Sequence, residues 1–296
     1  MTWAERGFLL LTSKLGNPDR KPLTVAQLRE LFFRSRQMVR RDISQNVEVS
    51  DLVSVGYSSK AATRIVELLQ DEMLLQRYLQ KAKKANSFPI TRATESYPVA
   101  IRKRLGLDSP GVLWVKGDAT LLNTPAIALV GSRDLHSGNR KFAEAVGYQA
   151  ARQGITLISG NARGSDKVAQ EACLEAGGRV ISIVADELEK HSLRKNTLYI
   201  SEDVFDGEFS AQRALSRNRV IHSLGAKTFV AQCNLGVGGT WDGTVKNLQK
   251  GWSPVFCFDD GSLASAELEQ LGATTIGIEQ LSDFAALQPA ELPFWE

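Results

Sequence analysis

The chain has 296 residues, 43% hydrophobic and 23% charged, with a formal net charge of +3. That length supports one large core or two domains, and the composition excludes wholesale disorder. No apolar run approaches the roughly 20 residues of a membrane-spanning helix, and Phe8-Leu9-Leu10-Leu11 is too short for a signal-peptide core, so a cytoplasmic location without membrane contact is expected.

Residues 1–105 carry 19 lysines and arginines against 10 acids, and the remainder carries 17 against 23. A basic N-terminal part invites a polyanion, although Arg34, Arg36, Arg40, Arg41 and the Lys81, Lys83, Lys84 cluster equally suit solvated helix faces.

Residues 1–90 read as a helical module. Thr24 can cap a helix whose apolar face is Val25, Leu28, Leu31 and Phe32. A short helix over 51–55, a turn at Gly56 and a longer helix capped by Ser58 or Ser59, with Ala62, Ile65, Val66 and Leu69 on one face, match a SAM-like or helix-hairpin-helix unit. The turn's backbone N–H groups are then candidates to point at a phosphate. A plain helical bundle gives the same pattern. Residues 91–125, punctuated by Pro98, Pro110 and Pro125 after Pro89, read as a linker or extension with one strand-like run, Val112-Leu113-Trp114-Val115.

From 126 to 296 the pattern turns to β-α alternation, with apolar runs at 127–130, 155–158, 180–184, 228–231 and 255–258. Runs apolar on both faces suit a parallel sheet covered by helices. The fold class is therefore α/β: an extended Rossmann-like, doubly wound, mostly parallel sheet with a small all-α domain before it.

Ligands of such sheets bind beyond the carboxyl ends of the strands, and three loops fall there. Val130-Gly131-Ser132-Arg133 follows the first strand; Gly131 allows close backbone approach, Arg133 is a planar fork for phosphate oxygens, and Ser137 is placed to cap the next helix. The 159–166 loop offers Ser159, Gly160, Arg163 and Gly164, with Ser165 or Asp166 to start a helix. Gly238-Gly239-Thr240, after the fourth strand, can form a nest of amides. Arg217-Asn218-Arg219 lies within a helix running over 214–224, where Asn218 can stitch loops together while Arg217 or Arg219 reaches the ligand.

No G-x-x-x-x-G-K-S/T and no G-x-G-x-x-G after the first strand is present, which argues against P-loop nucleotide hydrolysis and ordinary dinucleotide use. Cys173, Cys233 and Cys257 are far apart and read as buried reduced thiols; His136, His191 and His222 lack metal-ligand spacing. No catalytic residue, metal or cofactor is expected.

At these loops the sequence resembles the DprA/Smf family of DNA-processing proteins, within the wider Smf/DprA–LOG superfamily. Val130-Gly131-Ser132-Arg133, the 159–166 loop, Ser201-Glu202 and Arg217-Asn218-Arg219-Val220-Ile221 fall in the family's order, as do Glu95-Ser96-Tyr97-Pro98, the 110–117 stretch, Val255-Phe256-Cys257-Phe258 and Leu271-Gly272-Ala273. The resemblance implies single-stranded DNA as ligand, a RecA-type recombinase as partner and a homodimer. It makes Gly131, Ser132, Arg133, Ser159, Gly160, Arg163, Gly164, Arg217, Asn218 and Arg219 the DNA-binding set, joined by Gly238, Gly239 and Thr240.

Departures stand beside it. Gln232 occupies a place where the family usually has glutamate, Gly238-Gly239-Thr240 replaces Ser-Gly-Ser, and His222 stands where a small residue is usual. The sequence ends soon after its last strand, so the winged-helix-like C-terminal domain of some members is not expected. Two alternatives follow: a regulatory or antitoxin-like component of a phage-defence module, and a nucleotide phosphoribohydrolase of the LOG type. Val245-Lys246 stands where the latter's catalytic acid belongs.

Overall fold

The protein is described from a computed structural model covering residues 1–38 and 46–290. Helices α1 (Trp3–Thr12), α2 (Val25–Ser35), α3 (Val49–Ser54), α4 (Ser59–Gln70) and α5 (Glu72–Lys84) come first. Thr2 and Thr24 close capping boxes with Glu5 and Gln27, and Ser58 caps α4 through the Ala61 amide. Each satisfies amides that a helix start leaves without partners.

Leu23, Leu52, Ala62, Ile65, Val66 and Leu68 form the core of this module. Arg20, only 7% exposed, ties its helix ends together. Its guanidinium donates to the carbonyls of Leu10, Ser13 and Leu68 and to the Asp71 carboxylate. The α3–α4 turn differs from expectation. The amides of Val55, Gly56 and Tyr57 all bond back to Leu52 and Val53 carbonyls, so none points outward at a phosphate.

The 91–125 segment is not a linker. β1 (Phe88–Thr91), α6 (Val99–Leu105) and β2 (Val112–Gly117) belong to the sheet and its cover. Val112, Leu113, Trp114 and Val115 are all buried, as befits a strand covered on both faces. Pro89 suggested a break, but it sits on the edge strand β1, where its missing N–H leaves no ladder partner unsatisfied.

The remaining strands are β3 (Ala126–Val130), β4 (Thr156–Ser159), β5 (Arg179–Val184), β6 (Thr197–Glu202), β7 (Thr228–Val230), β8 (Val255–Phe258) and β9 (Thr274–Ile276). Between them lie α7 (Ser137–Arg152), α8 (Ser165–Glu175), α9 (Ala211–Ser216), α10 (Asn218–Leu224), α11 (Gly238–Lys250) and α12 (Leu263–Gln270). Among the described residues, nine strands form one sheet in the order β1-β2-β6-β5-β4-β3-β7-β8-β9. β3 to β9 run parallel, and β2 and β1 add an antiparallel edge. The chain winds outward from β3 through β6, then returns to β3's other side for β7. The β3–β7 junction is therefore the switch point at which such sheets leave a crevice.

Alternate strand residues feed two cores. Leu129, Leu157, Val180 and Phe229 meet Phe142, Val146, Ala169 and Cys173 of α7 and α8. Ile158, Ile181 and Ile200 meet Val220 and Ile221 of α10 and Ile101 of α6. The N-terminal helices share a third core with the sheet edge, in which Leu9, Leu75 and Tyr78 pack with Trp114, Tyr199 and Phe205. No helix among the described residues is long and apolar enough to cross a membrane.

Two local expectations are corrected. α7 begins at Ser137 with His136 as its cap residue and no side-chain cap bond, so Ser137 does not cap it. The helix expected over 214–224 is broken at Arg217 into α9 and α10.

Candidate phosphate-binding groove

The loops after β3, β4, β5, β6 and β7, with the α9–α10 junction, enclose one groove at the carboxyl end of the parallel strands. It has two lobes, of about 320 and 560 Å3, which share Arg133, Ala162, Phe209 and Arg217 as lining. The smaller lobe adds Arg163, Asn161, Asp186 and His191. The larger runs along Gly131, Ser132, Asn218, Gly238, Gly239 and Thr240.

Arg217 stands at the centre. Its side chain is buried, with the guanidinium over Gly160 and 4.0 Å from Asp166. A β-carbon on residue 160 would overlap the guanidinium, so only glycine leaves room for it. Burial pushes the Asp166 carboxyl up and the Arg217 guanidinium down, each against the pull of the other. Among the described residues, Arg217 Nε has no hydrogen-bond partner, leaving a buried cation under-satisfied beside a groove.

Arg133 and Arg163 lie at the exposed rim. Arg163 pairs with Asp134 at 2.7 Å, with side chains 75% and 85% exposed. A pair that open to water is weak, and an incoming anion can displace the carboxylate.

Gly131 and Gly164 also let two loops pack against each other. A β-carbon on Gly131 would strike Ser165, and one on Gly164, where φ is +86°, would strike the carbonyls of Ser132 and Arg133. The two loops are thus interlocked, with the Ser165 amide and hydroxyl both donating to the Ser132 carbonyl at 3.0 and 3.1 Å. Thr240 Oγ1 donates to the Gly131 carbonyl at 3.0 Å, and Asn218 Nδ2 to the Gly239 carbonyl at 2.9 Å. Asn218 therefore stitches α10 to the start of α11, as its position suggested. The first turn of α11, beginning at Gly238, opens on the larger lobe and brings helix-start amides to it.

Gln232 holds the loop between β3 and α7. Its Oε1 accepts from the His136 amide at 2.9 Å while its Nε2 donates to the Asp134 carbonyl at 3.1 Å. A glutamate could make only the first of these bonds.

Three expected site residues do not line the groove: Gly164, packed against the loop after β3, and Ser159 and Arg219. Ser159 is fully buried and accepts from Gln170 Nε2 behind the loop. Arg219 turns away to the buried Glu202 carboxylate and the Asp108 carbonyl. Burial raises the Glu202 carboxyl, and Arg219 opposes that shift. Arg40 and Arg41 lie outside the described residues.

Several lining residues carried no sequence signal. Phe209 is 56% exposed in the loop after β6, and Leu215 is 49% exposed on α9. Asn161 takes a left-handed φ of +58°, and His191 stacks on Tyr199 while contacting Asp186 at 2.8 Å. Isolated loop residues have no periodicity to betray them. The β6 loop is held from the other side, where Tyr78 and Lys81 of α5 bond to Asp206 at 2.8 and 2.6 Å. Among the described residues, no cluster of histidine, cysteine and carboxylate side chains is suited to a metal.

A family model described as DNA recombination-mediator protein A matches residues 88–247, from β1 into α11. Among curated relatives, DNA processing protein DprA of Streptococcus pneumoniae is 30% identical over 141 residues, 44% of this chain and 50% of that protein. DNA processing protein DprA of Bacillus subtilis is 27% identical over 185 residues, 58% of this chain and 61% of that one. The chain thus spans between half and two thirds of the length of these relatives. The X-ray structure of DprA from Streptococcus pneumoniae superposes with a TM-score of 0.73 at 22% identity, covering 97% of this chain and 99% of that one. A structure of DNA processing protein A from Helicobacter pylori, described for its single-stranded DNA binding mode, gives 0.57 at 22% identity over 66% and 94%. At these identities the two structures establish a shared fold.

Proposed function

The chain belongs to the DNA recombination-mediator protein A family, and from that premise we propose that it binds single-stranded DNA in the groove and acts as a DNA-processing recombination mediator. The observation that carries this reading is the convergence of Arg133, Arg163 and Arg217, from three separate segments, on one groove lined by an exposed phenylalanine. Guanidinium forks suit phosphate oxygens, and an aromatic face accepts a base of any identity. Phe209, between the two lobes, is the residue we assign to stacking, with the free amides of α11 as a further phosphate contact.

The likeness to a relative described for its single-stranded DNA binding supports the choice of ligand. The finer part of the reading is a homodimer that passes the bound strand to a RecA-type recombinase, without a catalytic step of its own. A titration of single-stranded against duplex DNA at two salt concentrations tests the ligand. Tighter, salt-sensitive binding of the single strand is expected, and equal affinity for both would overturn the reading.

A further inference from the structure

The outward face of α2 is not explained by the fold. Its Leu28 and Leu31 pack on the helical core, and no residue of the helix is buried. Phe32 and Phe33 nevertheless stand 57% and 52% exposed, their rings edge to face with centroids 6.1 Å apart. Arg29 lies over Phe33 and Arg36 over Phe32, at 5.8 and 4.6 Å from the ring centroids. Each pair is four residues apart, one turn along the same side of the helix. Glu30 supplies the only carboxylate of α2, and it is taken by Arg34 at 2.6 Å. Among the described residues, neither Arg29 nor Arg36 has an ion pair.

Two neighbouring exposed aromatic rings rimmed by polar groups mark a contact surface. Charge decides between occupants. The part of the chain holding α2 carries an excess of nine cations over acids within residues 1–105, and the charges flanking the rings are positive and, among the described residues, without an ion pair. A protein partner would have to match both guanidinium groups with carboxylates at the rim of an apolar contact. A single nucleic-acid strand supplies a phosphate and a π-face with each nucleotide. Guanidinium planes resting on rings leave their N–H edges free for phosphate oxygens.

We propose that the Arg29, Phe32, Phe33, Arg36 face of α2 is a second contact for single-stranded nucleic acid, outside the groove. It extends the single-strand reading of the groove to the basic N-terminal part, and its test separates the two.

The full chain, a Phe32→Ala/Phe33→Ala variant and an Arg29→Gln/Arg36→Gln variant are titrated by anisotropy with oligothymidylates of graded length. Bromodeoxyuridine oligonucleotides are then photocrosslinked and the attached peptides identified by mass spectrometry. Both variants are expected to bind long oligonucleotides about tenfold more weakly while short ones that fill only the groove are unaffected. Crosslinks should fall on the α2 peptide of the unaltered chain. Unchanged affinity for long strands together with crosslinks confined to the groove loops overturns the proposal. So does a loss of dimer in the phenylalanine variant with no change toward any oligonucleotide, which assigns the face to a second copy. Failure of the groove reading looks different, because short oligonucleotides would then not bind or would ignore Arg217→Ala. The rings are exposed, so melting temperatures close to that of the unaltered chain confirm that the variants fold.

Discussion

The guanidinium of Arg217 occupies the space above Gly160 where any other residue would place its β-carbon. The arginine at the middle of the groove thus depends on a glycine 57 positions earlier in the chain, at the end of β4. Gly160→Ala must displace Arg217 from its place beside Asp166. It should therefore weaken single-stranded DNA binding about as much as Arg217→Ala does, by roughly 1 to 3 kcal/mol. Binding titrations of the two variants side by side check this, and full affinity in Gly160→Ala would show that Arg217 does not depend on that space.

Arg133→Ala and Arg163→Ala should act differently. Both side chains are exposed, so their loss should leave folding intact and weaken binding evenly across sequences. The slope of log affinity against log salt should fall by about 1 for each. A loss confined to particular base sequences would mean that these residues read bases and not phosphates.

Arg219→Ala should harm stability before binding. The substitution leaves the buried Glu202 carboxylate without its cation. Removing one partner of a buried pair typically costs about 3 to 5 kcal/mol. Denaturant melts should show that loss, while the folded fraction keeps its DNA affinity because Arg219 does not line the groove. Normal stability with lost binding would return Arg219 to the site.

His222 sets an acid limit on the fold. It is a fully buried residue of α10, with Thr228 of β7 and Asn247 of α11 at 3.3 and 3.2 Å from Nδ1. Burial, with a smaller contribution from Arg217, holds its pKa down to about 3. The unfolded chain, with an ordinary histidine, binds the proton more readily, so stability falls as pH drops from about 6.5 toward 3. The slope from this residue alone is at most about 1.4 kcal/mol per pH unit. His222→Asn should flatten the pH dependence of unfolding across that window, whatever its effect on stability at neutral pH.

The sequence by itself determined the class of the fold and the general place of the site. Runs apolar on both faces demand a sheet covered twice, as for the strands found at β3, β4, β5, β7 and β8. Glycine and arginine after such strands mark the loops at their carboxyl ends. The Leu198-Tyr199-Ile200 run of β6 is strand-like but too short to stand out by periodicity, and Pro89 disguises β1 because edge and centre positions look alike before pairing is known. Within the site, the residue types were legible but their directions were not. Arg217 and Arg219 are two residues apart in sequence, yet the break between α9 and α10 sends one into the groove and the other to Glu202. Gly131 reads as a place for a ligand to approach; its main chain lines the groove, and the space beside its Cα is filled by Ser165 of the neighbouring loop. Composition and periodicity record how much surface each segment must bury. Which neighbour fills a given space is settled by contacts between segments far apart in the chain, and those exist only once the sheet has closed.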